Sequence, residues 1–425
     1  MEIFDIADGV RLVGVKTDRF KTSRITFTMA TPLAGNISAK AILPYFLHRR
    51  CAEYPDFSAF KGVLDELYGA SVSASVSKQG EAMLLNINMT AIDDRFALEN
   101  EKILSECASL LTKLVFEPIK DGDSFPSDII EDEKRLLKER IESEQSDKRR
   151  YALSKCEEIM FSGEAYGKNC LGTVEEVSAL TAKDIYSEWL YLLKSSVMQV
   201  TAVGSCEPEF IKELLLKKLA GIKREPCEIK TEFFAGLPKP NYVCETQPVK
   251  QGKLVMGFRT GMRDKDDNQS AMRVAVDIFG GGTYSKLFSI VREKMSLCYY
   301  CSASLYAYKG IVMVQSGIEN VNEEKAKSEI LNQLSQVAQG NFSDDDFSAS
   351  IKSQCDARVS FNDTPESLCL WYSGQILKEK PETPEESAAA IKAVERSQAV
   401  RAAKTIMLDT VYMLKSSEEG ENNEN

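Results

Sequence analysis

His48 is the only histidine in the chain. Metal ligation or proton transfer by imidazole has to run through it, and a site needing two imidazoles is excluded. It sits in Leu43-Pro44-Tyr45-Phe46-Leu47-His48-Arg49-Arg50-Cys51. Ile42, Leu43, Phe46, Leu47 and Cys51 recur at helical spacing as an apolar stripe, while Tyr45, His48 and Arg49 fall at i, i+3 and i+4 on another face. A helix uses that spacing to present two metal ligands and a general base. Glu131 to Ile141 predicts a second, charged helix, on which Glu133 and Arg140 stand seven residues apart, two turns along one face.

Three other constellations carry less. Cys298-Tyr299-Tyr300-Cys301 is a C-x-x-C, but the second pair a zinc ribbon needs is missing. On the strand predicted there, residues three apart point to opposite faces, so it reads as two semi-buried thiols. Ser75-Val76-Ser77-Lys78 has the S-x-x-K form of serine acyl-enzymes without its companion motifs, and reads as coincidence. Gly280-Gly281-Gly282-Thr283-Tyr284-Ser285-Lys286 lacks the spacing of a phosphate-binding loop and reads as a flexible turn or a place of close backbone approach.

The elements that must position these residues belong to a chain of 425 residues, enough for about two to four domains. Hydrophobic residues make up 43% and charged residues 28%, a globular balance. With 53 basic and 64 acidic residues, the net charge of −11 disfavours a nucleic-acid backbone as partner. The 11 cysteines are scattered and odd in number, as expected of thiols in a reducing, cytoplasmic compartment. Met1-Glu2-Ile3-Phe4-Asp5 lacks the basic and apolar regions of a secretory signal, and no apolar run is long enough to span a membrane.

Strand-like alternation marks Ile25 to Met29, Ala82 to Met89, Val197 to Val203 and Ile311 to Val314. Helical patterns cover 39–51, 57–68, 95–115, 127–160, 181–193, 207–219, 268–294, 322–338 and 344–357. The mixture predicts an α+β fold. Proline and glycine between Gly221 and Pro240 suggest a linker, including Gly236-Leu237-Pro238. The expected division is a domain over 1–222, a linker over 223–246, a second domain over 247–415 and a disordered acidic tail over 416–425. Ser73-Ala74-Ser75-Val76, followed by Lys78-Gln79-Gly80, has a counterpart in Ser302-Ala303-Ser304-Leu305, followed by Lys309-Gly310, about half a chain later. That predicts a duplicated domain.

On these residues the chain resembles the pitrilysin/insulinase metallopeptidases, the inverted zinc-motif group that includes mitochondrial processing peptidase. The resemblance implies two homologous α+β domains, each a mixed or antiparallel sheet packed with helices. In that family one helix carries H-x-x-E-H and a later helix supplies a glutamate ligand, with another glutamate seven residues before it. Leu43 to Arg49 looks like the first helix and Glu133 to Ile141 like the second. Leu171-Gly172-Thr173-Val174-Glu175-Glu176-Val177, Leu180 to Ile185 and Val200 to Gly204 resemble the stretches that follow. Gly280-Gly281-Gly282 through Tyr299 looks like the family's second-domain signature, in which Arg292 and Tyr299 match a pair that contacts peptide in active relatives.

The ligands are replaced. Tyr45 stands at the first histidine, His48 at the glutamate base, Arg49 at the second histidine and Arg140 at the distal glutamate, while Glu133 is kept. Two cations where a dication would bind oppose any metal by Coulomb repulsion. The resemblance therefore implies a non-catalytic subunit with no cofactor of its own, zinc being expected only in a catalytic sister. The partner would be that sister in a heterodimer or a second copy in a homodimer, the two closing around a peptide. Arg292, Tyr299 and Gly280, Gly281 and Gly282 would touch that peptide; neither nucleic acid nor membrane is expected. The alternatives are a scaffold subunit that processes nothing, and an independent peptidase with a metal site rebuilt from Tyr45, His48 and Glu133 or from His48 and Cys51.

Overall fold

Alternating apolar residues build two separate sheets. The computed structural model describes residues 1–205, 207–234, 239–262 and 268–417. Cys206, the Gly236-Leu237-Pro238 part of the expected linker and 418–425 of the expected tail lie outside the described residues.

The first sheet holds β1 (Glu2–Ala7), β2 (Val10–Lys16), β3 (Thr22–Pro32), β4 (Ser71–Gln79), β5 (Ala82–Ile92) and β6 (Val197–Gly204), in the order β1-β2-β6-β3-β5-β4. The second holds β7 (Asn241–Gln247), β8 (Gly252–Arg259), β9 (Cys298–Tyr306), β10 (Ile311–Ile318) and β11 (Met407–Ser416), in the order β7-β11-β8-β10-β9. β2 runs parallel to β6, and β7 parallel to β11; the other described pairings are antiparallel. Strand for strand, β2-β6-β3-β5-β4 repeats as β7-β11-β8-β10-β9. The two short sequence matches fall on β4 and β9, the same outer position in each sheet. The duplicated α+β fold stands.

The two compact units are not the sequential halves. The first comprises 1–141, 169–230 and 360–382, the second 142–168, 231–359 and 383–425. The first unit carries α1 (Ile37–Leu47), α2 (Phe57–Glu66), α3 (Ile103–Phe116), most of α4 (Ser127–Ser146), then α6 (Val174–Ala179), α7 (Ala182–Ser195), α8 (Pro208–Leu219) and α12 (Pro365–Ser373). The second carries α5 (Lys148–Met160), α9 (Gln269–Gly280), a π-helical run over Leu287–Lys294, α10 (Glu323–Gln339), α11 (Asp344–Val359), α13 (Pro384–Lys392) and α14 (Arg396–Ala403).

The pattern over 127–160 predicts one helix, but Asp147 divides it. Its carboxylate accepts hydrogen bonds from the backbone N–H groups of Arg149 and Arg150 and starts α5 afresh as an N-cap. The apolar face of α5, Ala152, Cys156 and Met160, packs with Val255, Met313 and Tyr412 of the second sheet. Reciprocally, Leu368, Cys369 and Tyr372 of α12 pack with Val13 and Val203 of the first. Each helix goes where an apolar sheet face is available, which local pattern does not encode.

The expected linker is also tied down. Arg224, buried, donates to the carbonyl oxygens of Asp8 (2.9 Å), Leu193 (2.5 Å) and Ser196, which fastens its segment to the first unit. At the other end β7 already begins at Asn241, inside the 223–246 expected as linker.

Candidate functional site

α1 is apolar nearly all round and every residue from Ile37 to Leu47 is buried, so it is a core helix. Asn36 caps it, its side-chain oxygen accepting from the Ala39 N–H. Phe46 packs against Phe125 with centroids 4.4 Å apart and the rings tilted by 44°, and Phe125 lies 5.9 Å from Trp189 of α7. This fixes the rotation of α1 and therefore the direction of Tyr45. The helix ends at His48 rather than running to Cys51, so Arg49 and Arg50 leave on a turn.

His48 folds back on the last turn of α1. Its Nδ1 lies 2.7 Å from the Tyr45 carbonyl oxygen and 3.2 Å from that of Pro44. Carbonyls only accept, so Nδ1 carries the proton. Burial lowers the imidazole pKa to about 4; the neighbouring cation of Arg49 and then that of Arg140 push the same way, against the two carbonyls. His48 is a neutral, internally bonded ring.

Arg49 turns onto α4, where Nη1 sits 3.1 Å from Oε1 of Glu133. Glu133 is only 2% exposed, and burial raises its pKa against the pull of Arg49, Arg140 and Arg50. Two turns along α4, the Arg140 guanidinium lies 3.9 Å over the Tyr45 ring. Burial raises the Tyr45 phenol, Arg140 opposes the shift, and the Val76 backbone N–H of the outer strand β4 also hydrogen-bonds to it. The structure thus brings together all five positions the resemblance singled out: Tyr45, His48, Arg49, Glu133 and Arg140.

A zinc ion does not fit this donor set. Structural and catalytic zinc sites take three or four lone pairs from imidazole, thiolate or carboxylate. Guanidinium has none to give, and it stands at two of the positions. Glu133 is held by Arg49, and His48 spends its protonated nitrogen on its own helix. Cys51 is fully buried, and burial raises its thiol pKa. Among the described residues no group of three or more His, Cys, Asp and Glu could hold a metal ion.

Sequence reasoning passed over Arg50. It is half-buried near Glu133, and its Nε–H is buried without a hydrogen-bond partner. The signal was there, since Arg49-Arg50 directly follows a helix without other charge on its last turn.

In the second unit, Arg292 lies on the π-helical run, 3.4 Å from Glu293 and 4.6 Å over the Phe288 ring. Its side chain is 39% exposed, and Tyr299 on the outer strand β9 is 77% exposed. The glycine triplet has a packing reason. A Cβ on Gly280 would lie 2.7 Å from the backbone nitrogen of Ala303, and one on Gly281 would lie 2.1 Å from Oδ1 of Asp277. Close backbone approach is therefore the right half of the sequence reading.

The thiol pair corrects an expectation. The β9–β10 register shifts between Gly317 and Ile318, so Tyr299 is an extra, bulged residue. Cys301 then pairs with Ser316 and Cys298 with Ile318, two apart on β10, which puts both cysteines on one face. The thiols hydrogen-bond to each other, and that bond, with help from Ser316 and Arg292 against burial, lowers Cys298 to about 7. The partner bond and burial raise Cys301.

Fold and site together define a two-domain, peptidase-like protein whose metal position is closed by its own cations. The profile described as "Peptidase M16 inactive domain" matches residues 179–354. Over 408 residues, covering 95% of both chains, the sequence is 32% identical to the probable inactive metalloprotease YmfF of Bacillus subtilis (strain 168). The chain belongs to the M16 peptidase family, among its inactive, metalloprotease-like members. A conserved protein from Enterococcus faecalis V583 has a similar structure, with a TM-score of 0.89, 25% identity and coverage of 98% of this chain and 99% of that one. A peptidase M16 inactive domain from Pseudomonas fluorescens superposes with a TM-score of 0.78 at 14% identity, covering 98% of each chain, and shares the fold. Among the described residues no helix is long and apolar enough to cross a membrane.

Proposed function

We propose that this chain is the non-catalytic member of a peptide-processing pair, joined to a sister that carries the zinc. One observation carries the reading. The donor positions are filled by an ion pair, Arg49 with Glu133, and a cation–π contact, Arg140 on Tyr45, while the fold of each unit, with its own sheet, is kept. Loss of catalysis without loss of architecture is what a binding or assembly role predicts. The exposure of Arg292 and Tyr299 supports a second part of the reading, that they meet peptide or complete the sister's site. A cytoplasmic setting belongs to the same reading, supported by the free cysteines.

The test is purification of the full chain from its native cells with whatever accompanies it, followed by peptide cleavage assays. A co-purifying chain with an intact H-x-x-E-H, whose cleavage falls when this chain carries Arg292→Ala and Tyr299→Phe, is the expected result. Association without any effect of the two substitutions would leave a scaffold role instead. Chelator-sensitive cleavage by this chain alone would overturn the reading.

A further inference from the structure

We infer that the former metal position is a binding site for a single oxyanion, a carboxylate or a phosphate. Such a site needs no sister subunit, since its groups all belong to this chain. Three guanidinium groups, Arg49, Arg50 and Arg140, act on one carboxylate, Glu133. Glu133 satisfies Arg49. Among the described residues neither Arg50 nor Arg140 has a carboxylate at ion-pair distance. Asp132, next to Glu133, is 75% exposed and is 3.9 Å from Arg135 instead.

The geometry favours an anion over simple solvation of these charges. The Arg140 guanidinium lies 3.9 Å over the buried Tyr45 ring and hydrogen-bonds to its phenol, a neutral partner that leaves the charge uncompensated and further N–H groups of the fork to donate. The Nε–H of Arg50 is buried, a donor withdrawn from water with no acceptor among the described residues. The His48 imidazole is turned back on its own helix, its Nδ1–H bonded to the Tyr45 carbonyl oxygen 2.7 Å away. Arg49, with 29% of its side chain exposed, and the exposed Arg140 leave an approach from solvent. Planar, forked donors of this kind match the oxygens of carboxylate and phosphate. The substitutions that closed the site to a dication leave it with the opposite preference.

Two probes test this on the full chain. Equilibrium dialysis with radiolabelled inorganic phosphate reads one source of the anion. Fluorescence anisotropy of a labelled ten-residue alanine-glycine peptide, as free acid and as C-terminal amide, reads the other. Saturable phosphate retention, or tighter binding of the acid than of the amide, is the expected result and identifies the source. Arg140→Ala and Arg50→Ala should each weaken that binding by roughly tenfold, the scale of a charge-assisted hydrogen bond. Glu133→Gln, which removes the competing carboxylate, should tighten it, an effect that a merely structural ion pair would not give. Thermal melts of each variant establish that it is folded, and the exposed Arg140 keeps the test open if Arg50→Ala is not. No phosphate retention together with equal curves for acid and amide overturns the inference, as does binding that Arg140→Ala leaves unchanged.

Discussion

The Arg140 guanidinium rests 3.9 Å above the ring of Tyr45, two residues far apart in sequence, on α4 and α1, that share a site only through the tertiary fold. The face of Tyr45 is covered by a cation in place of a metal, and the exclusion of zinc is built into this contact and its neighbour, Arg49 with Glu133.

The chain as it stands should carry no stoichiometric zinc after exposure to the metal and desalting. The quadruple replacement Tyr45→His, His48→Glu, Arg49→His and Arg140→Glu should gain it, because it restores three donors with lone pairs on a preserved backbone. Metal analysis of both proteins checks this. Zinc in the unmodified chain, lodged near His48, would contradict the site described.

Arg49→Ala should destabilise the fold by about 1–3 kcal/mol, since it leaves the Glu133 carboxylate buried without its partner. Glu133→Gln should cost less, because the amide is neutral and Arg49 is partly solvated. Urea unfolding of the two variants at neutral pH measures the order.

His48 makes stability depend on pH in a definite sense. Its folded pKa of about 4 lies below its ordinary 6.5, so the unfolded chain binds the proton first. Stability from this group is complete above about 6.5 and is lost as pH falls towards 4. Glu133 works oppositely, because its folded pKa is raised and its contribution falls as pH rises from the ordinary carboxylate range. The difference in unfolding free energy between the unmodified chain and His48→Gln isolates the histidine: it should shrink between pH 6.5 and 4. A flat difference would sink the assignment.

Cys298 should be alkylated by iodoacetamide with a midpoint near pH 7, well before the other described thiols. Cys301→Ala should move the midpoint upward, since it removes the donor that stabilises the Cys298 thiolate, and Arg292→Ala should move it further. Peptide mass mapping of the labelled chain reads the effect site by site.

Gly280→Ala should cost about 1–3 kcal/mol, because its methyl group meets the Ala303 backbone, which cannot move without disturbing β9. Tyr299→Phe, at an exposed position, should be within about 0.5 kcal/mol of neutral. Thermal melts of the pair separate a packing role from a surface role.

Much of this was legible beforehand. Periodicity placed α1, α2, α7, α8, α10 and α11 within a few residues, and the Ser73/Ser302 match located equivalent strands of the two sheets. The short helices α12, α13 and α14 and the strands β1, β2, β7, β8 and β11 were not seen. The helices are brief, and the burial and pairing of all these elements depend on neighbours distant in sequence.

The amino-acid sequence alone settled that two imidazoles are unavailable and that arginines stand at two ligand positions, because residue identity fixes which groups own a lone pair and which a permanent charge. Tertiary structure alone decided where those charges go: Arg49 to a buried glutamate on another helix, Arg140 onto an aromatic ring, and Arg50 beside the same glutamate with its Nε–H unbonded among the described residues. It also decided that α5 and α12 exchange units, and that a bulge at Tyr299 turns two cysteines towards each other. The physical reason is common to all of these. Helical and strand periods are local, whereas the partner of a charge, the host of an apolar face and the register of a strand are set by what packs beside them.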